Sequence, residues 1–143
     1  MNAYTINASD VRKDWGRFID NTIRLKPQFV KRSRDEIVAL SMDVFKDVLS
    51  AYPLTAKAFK EEDETITVSL DQIDLVANGQ NFEEALEHLA LDLIEYAEDF
   101  YSEFAYWSAA PNRKKHIPYV LSVLTQKNAE EVRGLIQCQL GKN

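Results

Sequence analysis

The chain has 143 residues, 45% hydrophobic and 28% charged, with four Gly and four Pro; that is a folding composition, sized for one compact domain or two very small ones, and it excludes fibrous and disordered classes. No apolar run approaches the about 18 residues that span a bilayer, the opening MNAYTINASD lacks the basic and apolar segments of a secretory signal, and Cys138 is the lone cysteine; a cytoplasmic protein without membrane partner, internal disulfide or cysteine-rich metal site is expected. The formal charge of -6 is split: residues 1–60 hold 11 Lys/Arg against 7 Asp/Glu (+4), and residues 61–143 hold 6 against 16 (-10), which points to unlike partners, nucleic acid for the first part and something basic for the second.

In chain order, Tyr4-Thr5-Ile6 is a short strand. Asn7 is the expected N-cap of a helix, accepting from the backbone of Ser9 or Asp10, with Asp10 favourable to the helix dipole. Ile6 and Val11 are placed to form a hydrophobic staple. Val11, Trp15, Phe18, Ile19 and Thr22 recur at helical spacing as one buried stripe, and Lys13, Arg17 and Arg24 share the far side. After Pro27, Phe29-Val30 and residues 37–40 are two strands of a hairpin with a basic entry, Lys31-Arg32-Ser33-Arg34. Ser41 caps a second helix whose apolar face is Met42, Phe45, Val48 and Leu49.

This stretch resembles the Phd/YefM antitoxin family. The residues that carry the likeness are Thr5-Ile6-Asn7-Ala8-Ser9-Asp10-Val11-Arg12, then Phe29-Val30-Lys31-Arg32, then Val38-Ala39-Leu40-Ser41 followed by Phe45. The turn Ser33-Arg34-Asp35-Glu36 departs from the family in lacking Gly, and Trp15-Gly16 replaces a more ordinary helix pair. The resemblance implies a homodimer formed through this domain, which binds operator DNA and represses its own operon. Arg12 and Arg32 are then the leading DNA contacts, with Lys31, Lys13 and Ser9 beside them. A basic surface binds phosphates, and Arg also reads a guanine edge with two hydrogen bonds.

Residues 53–64 read as a linker, with Pro53 at one end and Glu61-Glu62-Asp63-Glu64 at the other. Residues 65–70 alternate as a strand. A short second strand is expected within 71–76, and Asn78-Gly79 signals a turn. Asn81 and Glu84 form a capping box for a long helix to about Trp107, with Phe82, Ala85, Leu86, Leu89, Leu93, Ala97, Phe100 and Phe104 along one seam. Residues 66–100 also resemble HicB-type antitoxins, through a strand pair, a Gly and the helix start Phe82-Glu83-Glu84-Ala85; no functional residue carries over from this likeness. Leu91 lies amid the carboxylates of the helix. Glu87, Leu91, Ile94, Glu95, Glu98 and Tyr101 are the candidate contacts for a basic partner.

After Pro111, the cluster Asn112-Arg113-Lys114-Lys115-His116 reads as a solvated loop. A short helix follows Pro118, and Asn128 with Glu131 caps a final helix lined by Val132, Leu135, Ile136 and Leu140, with Cys138 packed near its end. No H-x-x-x-H, C-x-x-C, P-loop or G-x-S-x-G occurs, and His88 is placed opposite the apolar seam. No catalytic residue, metal or cofactor is expected.

The expected fold is α+β. Residues 1–52 form a small sheet with two helices, residues 53–64 a linker, and residues 65–143 an acidic, mainly helical region with a short β-hairpin. The expected function is that of a type II antitoxin, not an enzyme. It would neutralise a small basic toxin, a ribonuclease, through the acidic region, and repress its operon as a DNA-bound dimer. The alternative is a stand-alone repressor without a toxin.

Overall fold

The computed structural model describes residues 4–140. They are α+β and divide into two compact units, Met1–Val48 and Leu49–Asn143.

In the first unit, β1 (Thr5–Asn7) leads into α1 (Ala8–Lys13) and α2 (Trp15–Arg24), followed by β2 (Gln28–Arg32), β3 (Asp35–Ala39) and α3 (Met42–Leu49). The sheet order is β1-β2-β3. β1 runs parallel to β2, with Ile6 opposite Val30, and β2 runs antiparallel to β3, with Val30 opposite Ile37. Parallel pairing needs a crossover, and α1 with α2 supplies it. Val11, Phe18 and Val30 are the buried core, with Ile6, Ala8, Ile19 and Ala39 packed on it. Two buried polar residues close the unit at the end of α2. Gln28 Nε2 donates to Thr22 Oγ1 (2.7 Å) and to the Phe18 carbonyl (2.9 Å), and the Thr22 hydroxyl donates to that same carbonyl (2.8 Å).

The expected single helix is broken at Asp14, which leaves helical geometry and accepts from the Arg17 amide at 3.2 Å as the N-cap of α2. The break turns Trp15 out of the buried stripe; it is 59% exposed and stacks on Phe18. Asn7 is the N-cap of α1 by position, but its side chain makes no capping hydrogen bond. Ser41 Oγ does accept from the Val44 amide, at 3.2 Å. The hairpin turn without Gly is closed by Ser33 at a φ of 55°, a left-handed geometry that costs a residue with a Cβ roughly 1–2 kcal/mol.

The second unit holds β4 (Leu54–Lys60), β5 (Ile66–Leu70), β6 (Val76–Gly79), α4 (Phe82–Ser102), α5 (Phe104–Ala109), a 3-10 turn (Lys114–His116), α6 (Ile117–Leu124), α7 (Ala129–Leu135) and β7 (Ile136–Leu140). The sheet order is β6-β5-β4-β7, with β7 parallel to β4 and the other pairs antiparallel. The expected hairpin is therefore half of a four-stranded sheet. Residues 54–60, read as linker, are an inner strand: Leu54, Ala56 and Ala58 point into the core while Lys57, on the other face, is exposed. The final helix stops at Leu135, and Ile136 onward is strand, so Cys138 lies on β7 rather than on a helix.

Asn78-Gly79 is not a turn but the end of β6. Gly79 is needed for a different reason. A Cβ there would lie 2.4 Å from the backbone nitrogen of Ala85, so only Gly lets β6 approach α4 this closely. The α4 seam is buried from Ala85 to Phe100, with Ala85, Leu89, Leu93, Ala97 and Phe100 all at or below 1% exposure, but Phe82 is exposed, and the helix expected to run to about Trp107 stops at Ser102, where Glu103 leaves helical geometry and Phe104 starts α5. Asn81 Oδ1 accepts from the Glu84 amide (2.9 Å), and the Glu84 carboxylate accepts from the Gln80 amide (3.3 Å). Asn128 and Glu131 repeat this arrangement on α7. Among the described residues, no helix is long and apolar enough to cross a membrane.

Candidate functional surfaces

The first surface lies where β1 passes into α1 and β2 approaches the hairpin turn. Parallel pairing sets Asn7 opposite Lys31. That register brings Ser9 and Arg12 of α1 to the same place as Lys31 and Arg32 of β2. Together with Asn7, Ala8 and Ser33 they line a hollow of about 460 Å³. Arg12 and Arg32 are exposed and Lys31 is half-buried; across the hairpin, Glu36 lies opposite Lys31 and Asp35 opposite Arg32. Four of the five residues expected to meet DNA therefore converge. Lys13 does not; it points elsewhere and pairs with Asp10 at 3.7 Å across an exposed helix turn. Sequence spacing alone did not single out Asn7 or Ser33, because their place in the hollow depends on the register of β1 and β2.

The same unit has an apolar groove of about 600 Å³ between α2 and the β3–α3 corner, lined by Phe18, Ile19, Ile23, Val38, Met42 and Phe45 among others. Ile23, Val38 and Met42 are each about half exposed or more. Met42 and Val48, read as part of the apolar face of α3, are both more than half exposed.

The third surface is the outer face of α4. Glu87, Leu91, Glu95 and Glu98 follow one another at steps of four, four and three, which keeps them on one face. Tyr101 continues that face. All five are exposed, with Leu91 at 49% and Tyr101 at 62%. Ile94 borders the face but is half-buried and packs on the core, so it belongs mainly to the interior. Among the described residues no basic side chain neutralises Glu87, Glu95 or Glu98, whereas Glu83 on the neighbouring edge meets Arg133 at 3.7 Å.

Neither histidine sits as a free imidazole. His88 is exposed and its Nδ1 meets the Asn78 carbonyl at 2.8 Å. His116, expected in a solvated loop, is buried at 5% exposure and hydrogen-bonds Tyr96. Burial, with the Asp71 carboxylate second, pushes the Cys138 thiol above its ordinary value, which disfavours the reactive thiolate.

Set beside known proteins, the chain matches over residues 1–138 the model of the PHD_like family, described as antitoxins of toxin–antitoxin, RelE/RelB, TA systems. The chain belongs to this antitoxin family. A crystal structure from Syntrophomonas wolfei subsp. wolfei, of an antitoxin part of a candidate toxin/antitoxin system, is 39% identical to it, with a TM-score of 0.90 over 99% of this chain and all of that one. No curated protein matches. The family match runs well past the 50 or so residues on which the Phd/YefM likeness rested, so both units of the antitoxin belong to the conserved architecture.

Proposed function

We propose that this antitoxin has two separable binding activities. The basic hollow of the first unit grips operator DNA, with Arg12, Lys31 and Arg32 on phosphates or base edges and Ser9 donating to the backbone. The observation that carries this reading is the convergence of four polar and basic side chains from α1 and β2 on one hollow. A second copy of the chain covers the apolar groove, and the resulting dimer doubles the basic surface and matches a two-fold operator.

The acidic face of α4 receives a small basic toxin of the ribonuclease type. Leu91 and Tyr101 supply apolar contact, and Glu87, Glu95 and Glu98 supply charge complementarity, which speeds encounter and excludes other partners. The protein acts by occupying its partners rather than by chemistry, and it does so in the cytoplasm, where operator and toxin both are.

Co-expression of a tagged chain with the protein encoded beside it tests the reading. The expected eluate contains a small basic protein that is toxic when expressed alone, in a complex that shifts the promoter DNA of the operon. A clean homodimer that shifts its promoter without any such partner would leave a stand-alone repressor instead.

A further inference from the structure

Beside the core of the second unit, one partly buried polar chain joins α4 to the segment that follows it. Arg113 Nη1 donates to Tyr96 Oη at 3.3 Å, and Tyr96 Oη lies 2.7 Å from His116 Nδ1. The Arg113 guanidinium also sits 5.7 Å from the centre of the Tyr96 ring and 5.9 Å from that of Trp107 on α5. The Tyr96 and His116 rings meet edge to face at 5.8 Å. Arg113 thus touches α4 and α5 at once, and His116 leads directly into α6.

Arginine only donates, so the phenol oxygen accepts from Arg113. With the phenol proton directed at His116, Nδ1 accepts it and the neutral ring carries its own proton on Nε2. Protonation puts a second N–H on Nδ1; the phenol can accept it only by turning its own proton away, and a second cation then stands beside Arg113 on a ring that is 5% exposed.

We propose that the Arg113–Tyr96–His116 chain is an acid-sensitive latch that holds residues 104–119 against α4 while His116 is neutral and frees them when it is protonated. This goes beyond the toxin and DNA readings and does not depend on either. The surrounding groups favour the neutral ring. Desolvation acts first, then Arg113 and Lys115, and together they lower the His116 pKa; Asp74, from the loop before β6, opposes them. Tyr96, from α4, is the remaining titratable group at the ring. The folded-state pKa is thus below the unfolded value of about 6.5. The latch contributes fully above that value, and its contribution is lost as pH falls from there through the folded pKa. Residues 104–119 are suited to local opening, since α5 buries none of its side chains fully.

The test uses the full chain. Nitrogen-15 NMR of the two histidine rings, assigned with His88→Gln, is expected to show His116 as the Nε2–H tautomer titrating below the ordinary imidazole value. Hydrogen exchange at pH 7.5 and 5.5, corrected for intrinsic rates, is expected to speed up at the lower pH in residues 104–119 more than in β4 and β5. His116→Gln keeps an acceptor that cannot be protonated and should abolish the difference. Arg113→Met keeps the stacked chain without its charge and should shrink it. An Nδ1–H tautomer, a titration at or above the ordinary value, or an acid effect that survives in His116→Gln would overturn the latch. If that variant fails to fold, the tautomer and the Arg113→Met profile still decide.

Discussion

The second unit gathers eighteen buried apolar residues in one cluster around α4, while the first gathers three, Val11, Phe18 and Val30, among the described residues. Both have a sheet, helices and capped ends, so the contrast lies in burial and not in regularity. The first unit exposes the material for a larger core on its outside, at Ile23, Val38 and Met42 in the groove and at Ile37 and Phe29 nearby. A unit as small as the first buries only a modest fraction of its chain and is marginal in stability. The first unit has a small core with apolar surface to spare, the second a larger and closed one. The surfaces sort the same way: apolar and basic on the unit that we propose a second copy completes, acidic on the other.

The largest expected effect breaks this contrast directly. Ile23→Lys combined with Val38→Lys places like charges across the proposed dimer contact, where they cost several kcal/mol. Sedimentation should show a monomer at concentrations where the parent is a dimer. The first unit should melt early while the second keeps its transition. A dimer of unchanged affinity would remove the groove from the interface.

Next, Phe100→Ala should cost about 3–5 kcal/mol in the second unit, since Phe100 is 1% exposed at the centre of its core. Denaturant unfolding should show this loss at every protein concentration, whereas the transition of the first unit should move with concentration. Coincident, concentration-dependent loss of both would mean that the second unit also needs a partner.

A smaller effect sharpens the division of labour. Arg12→Ala and Arg32→Ala should each weaken operator binding by about 1–3 kcal/mol where the contact is to a base edge, or lower the salt slope by about one where it is to phosphate. Toxin capture should be unchanged in both. Loss of the two activities together would contradict separable surfaces. The smallest effect is local: Asn81→Ala removes the acceptor at the start of α4 and should cost about 1 kcal/mol in the thermal transition of the second unit alone.

Much of this was legible from short-range chemistry. The caps at Ser41, Asn81 and Asn128 rest on hydrogen bonds spanning three residues, which sequence spacing states outright. The α4 seam was legible because 3.6-residue periodicity sustained over 21 residues leaves little alternative. β7 carried a signal that was outweighed: Ile136, Cys138 and Leu140 alternate with Gln137 and Gln139, a two-residue period directly after a capped helix. β4 was harder, because its inward positions after Leu54 are two alanines, which mark a buried face only weakly. Asn78-Gly79 misled because Gly serves close approach as well as tight turns, and here Gly79 has no positive φ.

By itself, the sequence determined the α+β class, the positions of most helices, the opposition of a basic half to an acidic half, and the placing of Glu87, Leu91, Glu95 and Glu98 on one helix face. Those depend on periodicity and on neighbours within a few residues. Only the tertiary structure decided that residues 54–60 and 136–140 pair as parallel strands, and that Arg12 and Arg32 line one hollow. It alone decided that His116 is buried against Tyr96 rather than solvated. The physical reason is the same in each case. Parallel pairing and burial join residues far apart in the chain, and which of them meet is set by the packing of whole elements, a quantity that no local window of sequence contains.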